Sequence, residues 1–241
     1  MTPIESPNLP KRGIALAAVS IGAEKAKEYL ESRGIAVFDI LSSSAITAAH
    51  ADLHLLHLGG RKIILSREQL ENAQKLASSG FDVHILDSAL GAEYPADVPL
   101  NAAVFGNYAI LNPKTVCPNI NFFGRTLIPV RQGYAKCSAV PVTENAIITD
   151  DVAIASAAEK NGLEVLLVSK GDVLLPGREY GFIGGCCGLI APDIMLFNGD
   201  LSSHGDADRI RAFLSSFGVS AEETGHFPLT DIGGILPLAE K

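Results

Sequence analysis

No run of basic residues occurs anywhere in the 241-residue sequence, and the formal charge is −8. A nucleic-acid surface or an anionic membrane face is built from clustered Lys and Arg, so neither partner is expected. No stretch reaches the ~18 uninterrupted apolar residues that a membrane span needs. The opening MTPIESPNLPKRG is polar and proline-bearing, without a basic segment leading into an apolar run and a cleavage site. Charge is scarce altogether, 19% against 47% apolar residues, which excludes a disordered chain and describes a compact one. With no secretion signal, a cytoplasmic location is expected. Cys117, Cys137, Cys186 and Cys187 are then thiols in a reducing compartment, and the adjacent pair is poorly placed to bridge itself.

What the chain does have is a unit that recurs: helix, glycine, short strand. It is read at Ala23–Val37, Glu68–Val83, Val152–Val165 and Ala207–Ala221, closing at Gly34, Gly80, Gly162 and Gly218. Glycine at the closing position takes the left-handed conformation without a Cβ clash. Before three of these helices lies a pair of apolar runs split by a turn: Leu53–Leu58 with Lys62–Ser66, Ser138–Thr143 with Ala146–Thr149, and Gly188–Ala191 with Ile194–Asn198. Such pairs read as hairpins. Ser66 with Gln69 fits a capping box, and Asp150 or Asp151 and Ser203 are expected N-caps.

Gly80 and Gly162 are 82 residues apart, about two units. Inside that gap Asn101–Phe105, Tyr108–Leu111 and Arg125–Val130 supply three strands, while Pro113–Phe123 is too rich in Pro and Asn for a helix. This is a unit whose helix has become a loop. The C-terminal run Gly233–Leu238 lacks a following helix, and the N-terminal run Gly13–Ser20 lacks a preceding partner. Joining them makes a fifth unit. The expected fold is an α/β ring of five strand-strand-helix-strand units, closed by pairing of the N- and C-terminal strands, with no free edge at the seam. Residues 13–241 form its single domain and residues 1–12 a polar tail.

This architecture resembles the pentein fold, the five-fold pseudo-symmetric α/β propeller of the guanidine-modifying enzymes. Gly181-Phe182-Ile183-Gly184-Gly185-Cys186 is similar to that superfamily's aromatic-Glu-Gly-Gly-Asp segment, and Asp231-Ile232-Gly233-Gly234-Ile235-Leu236 to its Gly-rich C-terminal strand. Gln132-Gly133-Tyr134-Ala135-Lys136-Cys137-Ser138 resembles an uncharacterised bacterial branch. The resemblance implies a nucleophilic cysteine on the C-terminal strand, where this chain has Leu236 or Pro237. It implies two acids around Gly184-Gly185, where Ile183 and Cys186 stand. Attack on a guanidinium needs a thiolate and acids that hold the cation, so hydrolysis of arginine-like substrates is not expected.

In a ring of such units the first strand of each hairpin starts at the shared axis. Equivalent offsets from the turns give Asp52, Asn101, Cys137, Cys186 with Cys187, and Asp231 as residues converging on one cleft. Asp52, Asn101, Lys136 and Asp231 are the expected ligand contacts. If the chain is an enzyme, Cys137, Cys186 or Cys187 is a relocated nucleophile, with His226 as a base. The glycine pairs lack the strand-GxGxxG-helix setting of a nucleotide site, and no cofactor is expected. Three readings stand: a pentein-like protein binding a small polar molecule, a thiol-dependent hydrolase or transferase, and a metal protein using central Cys and His. For the last, His50, Asp52 and His54 alternate and would share one face of a strand. Against each candidate stands a structural use, a packed cysteine or a solvated histidine.

Overall fold

The computed structural model of the chain describes residues 1–41 and 50–241. After β1 (Thr2–Pro3) the first unit runs β2 (Ile14–Ser20), α1 (Glu24–Ser32), β3 (Ala36–Ile40). The second is a short helical turn α2 (Ala51–His54), β4 (Leu55–Gly59), β5 (Lys62–Leu65), α3 (Leu70–Ser78) and β6 (Asp82–Ile85). The third, β7 (Ala103–Phe105), β8 (Tyr108–Leu111) and β9 (Thr126–Pro129), has a loop in place of its helix. The fourth is β10 (Ala139–Thr143), β11 (Ala146–Thr149), α4 (Val152–Lys160) and β12 (Glu164–Leu167). The fifth is β13 (Cys187–Ala191), β14 (Ile194–Phe197), α5 (Ala207–Ser216) and β15 (Ser220–Glu223), followed by β16 (Leu236–Glu240).

These strands make five separate sheets. In every one an antiparallel pair continues into a parallel third strand: β4-β5-β6, β7-β8-β9, β10-β11-β12, β13-β14-β15 and β16-β2-β3. The parallel step is what the helix is for, because a parallel return needs a crossover. Register shifts between His57 and Gly59, Pro141 and Thr143, and Leu189 and Ala191 recur at the same place in three hairpins. The long helices bury one stripe each, such as Ala26 and Leu30 of α1 or Ile210 and Leu214 of α5, and leave the other face to water. The fold is therefore the expected pentein-like propeller.

The fifth unit closes as the repeat requires. Leu236 pairs with Ala18 and Glu240 with Ile14. Glu240 ties the seam: one carboxylate oxygen accepts from the backbone of Lys11 at 2.8 Å and of Arg12 at 3.0 Å, the other from the Arg12 guanidinium at 3.2 Å. Residues 1–12, expected as a tail, run across the hairpin ends. Thr2 and Pro3 pair with Glu240 and Ala239. Ile4 accepts from Gly60 at 2.9 Å, the Ser6 hydroxyl from Gly106 at 2.8 Å, and the Asn8 amide donates to Val104 at 2.9 Å. Leu9 enters the core formed by the third, fourth and fifth units.

Two helix starts differ from expectation. Asp151 caps α4, accepting from Ala153 and Ile154 at 2.8 and 3.0 Å. Ser66 and Gln69 do not form a capping box. Ser66 bonds His54, and Gln69 spans the backbone of Leu41 through both ends of its amide. Ser203 lies before α5, bonding Asp200 and Leu229.

Closure makes the C-terminal strand structural. Removing residues 232–241 should abolish the cooperative thermal transition, whereas loss of a frayed end would leave it unchanged. Glu240→Ala, which deletes only the charge-assisted bonds, should lower Tm by roughly 3–8 °C. Calorimetry of the two variants checks both.

Candidate functional site

The axis is crowded with backbone, and glycines make the room. A Cβ on Gly185 would lie 2.0 Å from Asp231 Oδ1, and one on Gly188 would lie 2.0 Å from the Ile235 carbonyl oxygen. With Gly185 bare, the Asp231 carboxylate settles against the 182–185 turn. Its Oδ2 accepts from Phe182 N at 2.9 Å and its Oδ1 from Gly233 N at 2.9 Å. His50 Nδ1 is 3.5 Å from Oδ1. Below the same turn Asp150 accepts from Ile183 N at 3.0 Å through one oxygen, and the other has no partner among the described residues. Burial pushes the Asp150 carboxyl up to about 7.

Asn101 is the hub between units. Its side-chain nitrogen donates to the Asp52 carbonyl at 3.0 Å and to Cys137 Sγ at 3.2 Å, while its oxygen accepts from Lys136 N at 2.7 Å. One buried amide thus fixes the starts of the second, third and fourth units. Burial, followed by the charges of Asp52 and Asp231, raises the Cys137 thiol well above its ordinary value. Held this way it is a neutral thiol.

An open cleft of about 270 Å³ lies over this layer. His50, Cys137 and Asp231 are in its lining, with Tyr134, Phe182 and Tyr180 as aromatic walls and Arg178 and Glu179 beside them. Tyr134 stacks on Phe182 at 5.6 Å between centroids, Tyr94 lies against Tyr134 at 5.7 Å, and Tyr180 meets Phe182 edge-on at 6.2 Å. The Tyr134 hydroxyl donates to Asp97 at 2.6 Å, and burial, then that bond, hold the phenol well above its normal range.

A second, small cavity of about 20 Å³ sits beside the cleft. Asp52, Lys136, His57 and Asn8 line it, together with Leu236 and Pro237, the positions where the family resemblance implied a nucleophile. It is large enough for about one water molecule. Among the described residues neither Asp52 oxygen has a hydrogen-bond partner, although the Cys137 thiol is near enough to influence the carboxyl. Burial pushes Asp52 up to about 6 against the opposing pull of His50 and Lys136. The Lys136 ammonium donates to the Gly184 carbonyl at 3.3 Å.

The expected residues therefore fall into three places. Cys137 and Asp231 line the cleft, with Asn101 bonded to Cys137. Asp52 and Lys136 line the small cavity. Cys186 and Cys187 are in neither lining, and both thiols donate to the Ile183 carbonyl, at 3.2 and 3.4 Å. The bond with Cys187, then burial, raises the Cys186 thiol well above its usual value. His226 is exposed, near enough to Asp200 for its charge to act on that carboxyl, and lines neither space. His50, Asp52 and His54 diverge, because 51–54 is a helical turn rather than a strand: His50 faces Asp231, and His54 bonds Ser66 at 2.6 Å. Among the described residues no group of three or more His, Cys, Asp or Glu is arranged to hold a metal ion. Sequence reasoning missed the aromatic wall. The signal was there in scarcity, since three of only five tyrosines, Tyr94, Tyr134 and Tyr180, gather at this one place.

Comparison with known proteins fits this geometry. The chain belongs to a family of unknown function, DUF6873, whose model matches residues 19–236. No curated protein matches it. Among solved structures it is similar to the inosamine-phosphate amidinotransferase of Streptomyces griseus, at 10% identity over 99% of this chain and 97% of that one, TM-score 0.62. It is similar to the agmatine deiminase of C. jejuni, at 10% identity over 100% and 97% of the two chains, TM-score 0.58. A dimethylarginine dimethylaminohydrolase matches at 8% identity over 87% and 92%, TM-score 0.53. These proteins belong to the pentein superfamily, and the likeness establishes the shared fold.

Asp52 gives a pH signature. Its carboxyl titrates near 6 in the fold and near 3.8 in the open chain, so between those values the folded form holds the proton that the unfolded form has lost. Its contribution to stability accordingly falls as pH rises from 4 to 6. His57, held down to about 4 by burial, acts in the opposite sense over the same range. The difference between Asp52→Asn and the parent isolates the carboxylate. The variant should gain on the parent by up to about 3 kcal/mol between pH 4 and 6.5, then run parallel to it. Urea unfolding at stepped pH measures this, and a flat difference refutes it.

Proposed function

We propose that this protein binds a small polar, cationic molecule in the central cleft and does not hydrolyse it. The observation that carries the reading is the cleft's composition: a buried Asp231 carboxylate beside His50, under a wall of Tyr134 and Phe182. A carboxylate with free lone pairs takes a cation's donors, and aromatic faces attract the same charge through their quadrupoles. The fold neighbours include enzymes named for agmatine and dimethylarginine, and a guanidinium-bearing compound is the ligand class to test first. Turnover is a different matter. The C-terminal strand offers Leu236 and Pro237, which line the small cavity rather than the cleft. Losing a nucleophile typically costs on the order of a million-fold.

Isothermal titration with agmatine, arginine and guanidinium should show saturable binding to the parent. Asp231→Asn should weaken it by about tenfold or more, and Tyr134→Phe should preserve it. No citrulline, urea or ammonia should form. Release of any of these, abolished by Cys137→Ser, overturns the non-hydrolytic reading.

A second reading, thiol chemistry, is supported by one fact: Cys137 shares the cleft lining with His50 and Asp231. Its cost is the neutral state of the thiol. At neutral pH, iodoacetamide should label Cys117, which is partly exposed, well before Cys137. Peptide mapping across pH 7–10 would reveal a fast Cys137 if this second reading is right.

A further inference from the structure

The third unit is the one without a helix, and a groove of about 790 Å³ lies where its chain turns instead. That volume is within the roughly 300–1,000 Å³ usual for ligand sites. The groove sits past the carboxyl ends of two parallel strands, β8 and β9, which finish at Leu111 and Pro129. Crevices at that end of parallel strands are where α/β proteins bind ligands. It shares no lining residue with the central cleft, although its Tyr94 packs against Tyr134 of the cleft wall.

Two cations, Lys114 and Arg131, line it, and neither makes an ion pair or side-chain hydrogen bond among the described residues. Their backbones are fixed by one buried residue. Asn112 accepts from Lys114 N at 2.9 Å through its side-chain oxygen and donates to the Arg131 carbonyl at 2.8 Å through its side-chain nitrogen. The nearby acid is already spent: Asp151 caps α4 and takes Gln132 and Lys170. In the same lining Tyr94 is half open to solvent, with its ring set over the bare backbone of Gly133, where a Cβ would meet it at 2.3 Å. Pro95, Pro113 and Pro129 complete an apolar wall.

The geometry points to this groove as a binding site for a small phosphate monoester bearing a flat ring, the phosphate held by Lys114 and Arg131 and the ring laid on Tyr94. Two cations whose backbones are tied to one asparagine suit a dianion, and an open tyrosine face in a lining with three prolines suits a planar body. The inference does not depend on what the central cleft binds.

The test is NMR titration of the full chain with AMP, adenosine and inorganic phosphate. AMP should move the amides of residues 112–115 and 131 saturably, with the phosphate-free and ring-free probes each weaker by about tenfold or more. Lys114→Ala and Arg131→Ala, both at exposed positions, should each weaken AMP by about tenfold, Arg131→Lys by less, and Tyr94→Ala should abolish the advantage of AMP over phosphate. The absence of saturable shifts at about 10 mM AMP, shifts centred on His50 and Asp231, or affinity unchanged in the double Lys114→Ala, Arg131→Ala variant would each overturn it.

Discussion

Crowding at the axis is the constraint from which the rest follows. Five units begin within reach of one another, and the space between them is so small that side chains are omitted where backbones cross. Gly185 gives its volume to a carboxylate and Gly188 to a carbonyl. The same crowding leaves little room for water, so most polar groups must be answered by a neighbour. Asp231 and Asn101 are answered fully enough to become rigid. Asp52 finds no hydrogen-bond partner among the described residues, and burial raises its proton affinity.

The same exclusion decides the chemistry. A thiol gains nucleophilicity when cations or a helix terminus stabilise its thiolate. Cys137 has two carboxylates and a desolvated setting, which favour the proton. Cys186 and Cys187 share one carbonyl in a closed pocket of the chain. A ring that gathers thiols at its axis is thus compatible with a receptor as much as with an enzyme. Sulfur is small and apolar, and it packs where a serine would demand partners.

The repeat was legible in the sequence because a glycine closing each helix and a turn splitting each hairpin are local signals, and local signals survive in any tertiary context. The loop in place of the third helix was legible for the same reason. What escaped was set by distant contacts. Ala51–His54 coils rather than extends while Asp52 N bonds the Gly233 carbonyl, 181 residues away in the chain. Ser66 and Gln69 have the right types and spacing for a cap, but each meets a distant partner that uses its side chain better. Pseudo-symmetry sets Cys186 and Cys187 near the axis but does not dictate which way they face. The wall of Tyr134 and Phe182 had no periodic signature at all.

The strap formed by residues 1–12 has a bearing on how the protein comes into being. Lys11 and Arg12 wait for Glu240, a partner 229 and 228 positions later in the order of synthesis. Until then β2 has only β3 beside it, and its other edge is open. The units in between can form as they emerge, since each is stitched by short-range contacts, but the ring is a horseshoe until the last strand arrives. Contacts of such long sequence separation slow folding, and a horseshoe with one bare strand is the species a chaperone would meet. Joining the ends with a short linker and opening the chain in the helix-less third unit would change that schedule, bringing the seam together in mid-synthesis and leaving the third unit to close last.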